Sequence, residues 1–416
     1  MTLQQFLDSS YTAYHATANA SAALRACGFE ELAIDGKTRK WKIERGGKYF
    51  VTRNGSSLVA FVVGANNVFN VCESHTDSPS FKVKGGKLVE SEGVKRLNTE
   101  KYGGGLLYTY LDRPLKIAGR VLVETKTGVS QKLVASSYNV VIPSLAIHHN
   151  PTANDSLSLN PQIDTLPLLS QSECDLYQTL VDGKVLDADL FVVPVQSSFT
   201  SGVNGEFLCS PRLDNLTSVY TSVNALLEAK PRGIAVVACL DNEEVGSGTR
   251  QGSPNFLNQV LCGIAEGLNF SYAENLAARE CGMVLSVDNG HAVHPAHPEK
   301  SDLTNRVHLN GGVVIKHHTN YATDGLTSAT LKRLLDLSGV AYQDYYNRSD
   351  VRCGTTLGLA TANVTGMKVC DIGIAQLAMH SACETCGARD VEAMGKCLKA
   401  FLSAEIGGTD DVTVRI

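Results

Sequence analysis

The sequence contains no long run of one charge, no leader of basic residues followed by an apolar segment, and no apolar stretch of the about 18 residues that a membrane helix needs. A formal charge of -5 spread along 416 residues leaves no electrostatic footprint for nucleic acid. The chain is therefore expected to have neither a nucleic-acid nor a membrane partner, and to be cytoplasmic. Proline is scarce, at 12 residues, and no repeat or low-complexity tract interrupts the chain, which argues against long disordered segments. Cysteine is not scarce. Its 12 residues, in a long chain without an export signal, read as reduced and mostly buried thiols, and the one CxxC pair, Cys383 and Cys386, is a weak signal for structural zinc or redox chemistry.

What is present is the material of a soluble globular protein, 43% hydrophobic and 19% charged, long enough for two or three domains. Two alternating runs around Asn54-Gly55 predict a hairpin over 48–63, because that dipeptide favours a tight primed turn. A strand is expected at 67–72. Gly-rich turns and short Val/Leu runs from 81 to 204 predict an inserted β-rich domain, leaving 1–80 and 205–416 as one discontinuous α/β domain. In that second half, strands are expected at 234–240, 283–287, 313–316 and 368–372. Helices are expected from near Leu216, with Val219, Tyr220, Val223, Leu226 and Leu227 on one apolar face, and over 327–337 and 390–402.

Histidines and carboxylates recur just beyond the carboxyl ends of these strands, where open α/β sheets place ligands. His75 and Asp77 follow the first; Asp241, Glu243 and Glu244 follow 234–240; Asp288 follows 283–287; His380 comes after 368–372; and Asp214 opens the helix near Leu216. Singly, each has a plain alternative: a histidine oriented by an aspartate, a solvated Glu-Glu loop, a helix N-cap. Together, so many carboxylates in one place need compensation, because buried anions lose hydration and repel each other. Imidazole and carboxylate donors suit zinc, and a pair of ions roughly 3.5–4 Å apart with a shared carboxylate is an established hydrolytic arrangement. His291, His294 and His297 fall outside this set, since Pro295 and Pro298 oppose a helix that would gather them.

Several blocks, in order, resemble signature stretches of the aspartyl aminopeptidase family: Ser74-His-Thr-Asp-Ser-Pro79, Lys101-Tyr-Gly-Gly-Gly105, Tyr110-Leu-Asp-Arg-Pro-Leu115, Asp241-Asn-Glu-Glu-Val-Gly-Ser247, Ala292-Val-His-Pro295, Asn347-Arg-Ser-Asp350, Cys353-Gly-Thr-Thr-Leu-Gly358 and Gln376-Leu-Ala-Met-His-Ser381. The resemblance covers nearly the whole chain. It implies a three-layer α/β/α zinc-exopeptidase-like domain with an inserted β-rich dimerisation domain, and hydrolysis of the N-terminal peptide bond of peptides bearing Asp or Glu there. It implies two Zn2+ per subunit, exchangeable with Co2+ or Mn2+: one ion held by His75 and Asp288, the other by Glu244 and His380, with Asp214 bridging.

By the same resemblance Asp77 orients His75, and Glu243 is the general base. Lys316 faces the acidic side chain of the substrate, His148 reaches the active site of a neighbouring subunit, and the subunits form a tetrahedral dodecamer. Two departures from the family are Cys383, where an arginine is usual, and the absence of proline from Ser10-Tyr-Thr-Ala-Tyr-His15. The competing expectations are a related dinuclear aminopeptidase with neutral or basic preference, and a catalytically silent assembly protein. An intact Glu243 favours an enzyme.

Overall fold

Continuous apolar strands with helices between them must bury both faces of one sheet. A computed structural model, which describes residues 1–34, 37 and 40–416, shows that sheet. It has nine strands in the order Glu30–Glu31, Lys48–Arg53, Ser57–Val63, Ile234–Leu240, Phe69–His75, Met283–Val287, Lys368–Gly373, Val313–His317 and Tyr342–Tyr346. The four strands from Ile234–Leu240 to Lys368–Gly373 are mutually parallel, so their carboxyl ends lie on one edge.

The period of two in the central strand sorts its side chains between two cores. Ala235, Val237 and Cys239 pack with the helices Leu3–Ser9, Ala13–Ala26, Leu213–Glu228, Gly325–Ser338 and Ala388–Ser403. Ile234, Val236, Ala238 and Leu240 pack on the other face with Asn255–Gly267, Tyr272–Glu280 and Leu357–Thr365. The result is the expected three-layer α/β/α architecture. The hairpin turns at Asn54 and Gly55, both with positive φ, between Lys48–Arg53 and Ser57–Val63.

Residues of the intervening stretch form a separate six-stranded antiparallel sheet, Gly128–Ala135, Leu115–Thr125, Val185–Pro194, Ser80–Ser91, Val94–Tyr102 and Leu168–Ser170. It carries its own core around Phe81, Leu97, Ile117, Val121 and Val192. A small five-stranded sheet, in the order Phe199–Ser201, Phe207–Ser210, Glu384–Gly387, Ala375–Leu377 and Gly290–His291, draws its strands from distant parts of the chain and frames the loop of His380.

One local expectation shifts, and one strand direction lay outside what was expected. The strand expected at 67–72 is Phe69–His75, every residue of it buried, because Glu73, Ser74 and His75 continue the ladder as polar members of a central strand. The strand Val313–His317 runs antiparallel to Lys368–Gly373, with Ile315 opposite Ile372. Lys316 therefore enters from a strand of reversed direction, unlike the groups on the parallel strands.

The twelve cysteines are all unpaired, and Cys383 accepts a hydrogen bond from Gln196 Nε2 at 3.3 Å. No helix among the described residues is long and apolar enough to cross a membrane.

Candidate metal centre

Each histidine and carboxylate of the cluster is aimed by the end of a regular element. His75 ends the strand Phe69–His75, Glu243 and Glu244 sit in a short 3₁₀ turn after Ile234–Leu240, and Asp288 follows Met283–Val287. Asp214 lies where the helix Leu213–Glu228 is kinked, outside helical φ/ψ. His380 stands at φ 67 in the loop after Ala375–Leu377, and Asn242 beside the glutamates at φ 59. Left-handed backbone is costly for residues other than glycine and persists where the surroundings over-determine it, commonly at functional sites.

Asp214 is at the centre. Its Oδ1 lies 3.4 Å from His75 Nε2 and its Oδ2 3.4 Å from His380 Nε2. Asp288 Oδ1 is 3.6 Å from the same His75 nitrogen, and Glu244 Oε1 is 3.3 Å from the same His380 nitrogen. Donor atoms of His75, Asp214 and Asp288 converge within 4.8 Å, as do those of Asp214, Glu244 and His380. His75, Glu243 and Glu244 form a third convergent group. Neither the Cys383 and Cys386 pair nor His291, His294 and His297 belongs to such a group among the described residues.

Around this centre stands a ring of supports. His75 Nδ1 is 3.0 Å from the Asp77 carbonyl oxygen and 3.4 Å from Asp77 Oδ1. The Asp77 carboxylate also accepts the backbone N–H groups of Glu243 and Glu244, both at 3.1 Å, and the Tyr102 hydroxyl at 2.7 Å. One side chain thus fixes a histidine and the whole glutamate turn. The Lys101-Tyr-Gly-Gly-Gly105 run brings backbone close to the ligands: Gly103 has φ 71, and a Cβ on it would lie 3.1 Å from Glu244 Cβ. Gly104 presents its carbonyl oxygen 3.3 Å from His380 Nδ1. Only glycine meets both demands at 103.

Glu384 is the support that sequence reasoning missed. It is buried, and its two oxygens accept the backbone N–H of Asp214 at 2.9 Å and of His380 at 2.6 Å. A single carboxylate thereby clamps the two residues whose side chains face each other. Its position four residues after His380 is the only hint the sequence offers. Removing it by Glu384→Ala is expected to weaken zinc affinity on the order of 10–100-fold, measured by competition with a chelator, because outer partners hold ligand orientation.

Lys316 is 2% exposed, with Nζ 3.7 Å from Asp288 Oδ2 and 5.6 Å from the centre of the Tyr321 ring. It lines, with the cluster, a cavity of about 270 Å³. His148 is exposed in a turn of the antiparallel module and is absent from the lining of this cavity.

The charges here conflict. Burial opposes protonation of His75, but the carboxylates of Asp214, Asp288 and Asp77 beside it outweigh that and raise its pKa well above the usual histidine value. Against the same burial, Asp214 and Glu244 raise His380 to about 10. Burial pushes Glu243 up to about 8, with His75 opposing and Asp288 and Asp77 adding, and it pushes Glu244 well above the usual carboxylate range. Burial acts on Asp214 too, yet the His380 and His75 imidazoles beside it hold it well below. Asp214 Oδ1 and Glu244 Oε1 are moreover buried without a hydrogen-bond partner. Orphaned, converging carboxylate oxygens beside imidazoles are the donor set that a divalent ion satisfies. The residues present fit zinc.

The fold and this cluster define a three-layer α/β/α protein with an imidazole and carboxylate metal centre at the carboxyl edge of its sheet. A family model described as aminopeptidase I zinc metalloprotease (M18) matches residues 6–402. The chain is 38% identical to a Clostridium acetobutylicum protein named "Probable M18 family aminopeptidase 2", over 96% of this chain and 97% of that one. A protein of the same name from Pseudomonas savastanoi is 36% identical, over 97% of each chain.

Among solved structures, a chain of the Ape4 and Nbr1 complex superposes with a TM-score of 0.89 at 32% identity, covering 96% of this chain and 84% of that chain. The crystal structure of prApe1 gives 0.88 at 26% identity, with 96% and 92% coverage. The S. cerevisiae mApe1 dodecamer gives 0.80 at 26% identity, with 96% and 95% coverage. The chain belongs to the M18 family of zinc metalloaminopeptidases.

Proposed function

We propose that the chain is a dinuclear aminopeptidase that removes Asp or Glu from the N-terminus of peptides. The observation that carries this reading is the Asp214 carboxylate, set with one oxygen 3.4 Å from His75 Nε2 and the other 3.4 Å from His380 Nε2. His75, Asp288 and Asp214 would hold one zinc ion, and His380, Glu244 and Asp214 the second; Co2+ or Mn2+ could replace either. The alternative grouping of His75 with Glu243 and Glu244 would consume Glu243 and leave Asp214 Oδ1 unsatisfied.

When bound, the metal pair supplies Lewis acidity that polarises the scissile carbonyl and acidifies water. The remaining work falls to the chain. Glu243, free of the two ligand sets, takes the proton of the attacking water and passes it to the leaving amine. Asp77 holds Glu243 in place through its backbone N–H. Nearby carboxylates receive the free α-amine, which restricts cleavage to the first residue. The peptide substrate therefore needs a free N-terminus.

Lys316 receives the acidic side chain. Asp288 is its only ion-pair partner among the described residues, so once the charge of Asp288 is committed elsewhere the buried cation is available to a substrate carboxylate. His148, exposed on the antiparallel module, would complete the site of a neighbouring subunit. That module, 81–204, would then be a dimerisation domain within a homo-oligomer, a tetrahedral dodecamer built from dimers. The dodecamer among the structural relatives supports an assembly of this size. Unpaired cysteines suit a reducing cytoplasm.

Lys316→Leu tests the preference. A charge-assisted hydrogen bond is worth roughly 1.5–3 kcal/mol, so kcat/KM for aspartyl and glutamyl substrates should fall about ten- to a hundredfold while leucyl substrates hold steady. A parallel fall for both would make Lys316 structural.

A further inference from the structure

A second cavity, of about 260 Å³, adjoins the one that holds the cluster, and the two share His291, Tyr345, Asn347 and Arg352. Its charged lining has the opposite sign to the cluster: Lys300, Arg348 and Arg352, with Asp302 the sole carboxylate. One oxygen of that carboxylate, Oδ1, is already engaged, accepting the backbone N–H groups of Thr304 at 3.0 Å and Asn305 at 2.8 Å. Arg348 is committed as well, donating to Asp350 and to the Glu299 carbonyl oxygen. The Lys300 ammonium makes no ion pair among the described residues, although it lies in the field of Glu299 and Asp350.

Arg352 differs from Arg348 in having no partner among the described residues, and from Lys300 in its place. Its exposed guanidinium makes no hydrogen bond or ion pair among the described residues, and it stands on the boundary that both cavities share. A guanidinium is a fixed planar fork matched to a carboxylate. The same boundary carries Asn347, whose Nδ2 is turned to the Val351 carbonyl at 2.6 Å and whose Oδ1 accepts the Tyr345 hydroxyl at 2.8 Å, so the wall beside Arg352 is braced.

We infer that this second cavity receives the part of the substrate beyond the scissile bond, and that Arg352 is a specificity-determining residue which binds a carboxylate there. The inference rests on the aminopeptidase reading of the cluster, and not on the role of Lys316. The carboxylate has two sources: the C-terminus of a dipeptide, or an acidic side chain in the second position of a longer peptide. A cation placed just past a cluster of carboxylates also gives an anionic leaving fragment a favourable potential where the cluster alone would repel it.

The test holds the N-terminal residue constant and varies the leaving fragment. For the zinc-loaded protein, kcat/KM is measured on a dipeptide, on the same dipeptide as its C-terminal amide, on a C-terminally amidated tripeptide with Glu or Gln second, and on the aminoacyl-4-nitroanilide. Wild type should favour each carboxylate-bearing member over its neutral counterpart by about tenfold. Arg352→Ala should erase that ratio and leave the nitroanilide unchanged, while Arg352→Lys restores part of it. Loss in the dipeptide pair alone assigns the C-terminus as the source, and loss in the Glu/Gln pair alone assigns the side chain. Equal rates for all pairs in wild type, or an equal fall of the nitroanilide and the peptides in Arg352→Ala, overturns the inference. Failure of the aminopeptidase reading itself would appear separately, as a wild type that cleaves none of these substrates.

Discussion

Glu243→Gln is expected to lower kcat by about 10² to 10⁴, the usual span for loss of a general base, with zinc content and thermal midpoint close to wild type. The amide keeps the size of the side chain and can still hydrogen-bond water, but it cannot accept a proton. The backbone of residue 243 would stay where it is, because its N–H donates to Asp77 Oδ1 at 3.1 Å whatever the side chain. Burial has already lifted the Glu243 carboxyl to about 8, and positive charge added to the cluster brings such a group back toward neutrality, where a base is most effective. Stopped assays beside elemental analysis of the same sample read both quantities. Near-normal turnover in the variant would move the base elsewhere.

Removing the metal is the second large effect. Treatment with a strong chelator is expected to abolish activity and to lower the thermal midpoint, since a ligand that binds only the folded state stabilises it in proportion to the logarithm of its concentration over Kd. The metal-free cluster meets its own charge by holding protons: His75 and Glu244 sit well above their usual values, and His380 near 10. Those protons must leave when zinc binds, so affinity should rise with pH, and titration calorimetry in buffers of different ionisation enthalpy should show proton release. Activity should return on adding zinc. A chelated protein that keeps full turnover would remove the metal from the account.

How much of this was legible in the sequence depended on how local each cause was. The strand Ile234–Leu240 emerged with its boundaries intact because a run buried on both faces has no polar break within it. The hairpin at Asn54 was equally plain, since its turn needs two residues with positive φ. By contrast, Glu73, Ser74 and His75 looked like a loop beginning, yet Glu73 is fully buried and accepts the Thr361 hydroxyl at 2.6 Å. A polar residue in a central strand can be held, here through one carboxylate oxygen, by a partner hundreds of positions away, and periodicity cannot see it. The reversed direction of Val313–His317 is likewise a property of the topology, not of its own residues.

The same division runs through the centre. His75, Glu243, Glu244, Asp288 and His380 were found because they follow strands and Asp214 because it opens a helix, and the structure brings all six together. Glu384 escaped notice, and Tyr102 stood in a recognised block without a role. Their work is to hold backbone N–H groups and a carboxylate at chosen places, which leaves no periodic or spacing signal in the chain.

The central claim is that two zinc ions share Asp214. Anomalous diffraction at the zinc absorption edge, on crystals of the zinc-loaded and fully active protein, addresses it most directly. The account predicts two peaks per chain, one among His75, Asp288 and Asp214 and one among His380, Glu244 and Asp214. A single peak, or a pair of peaks that excludes Asp214, would contradict it.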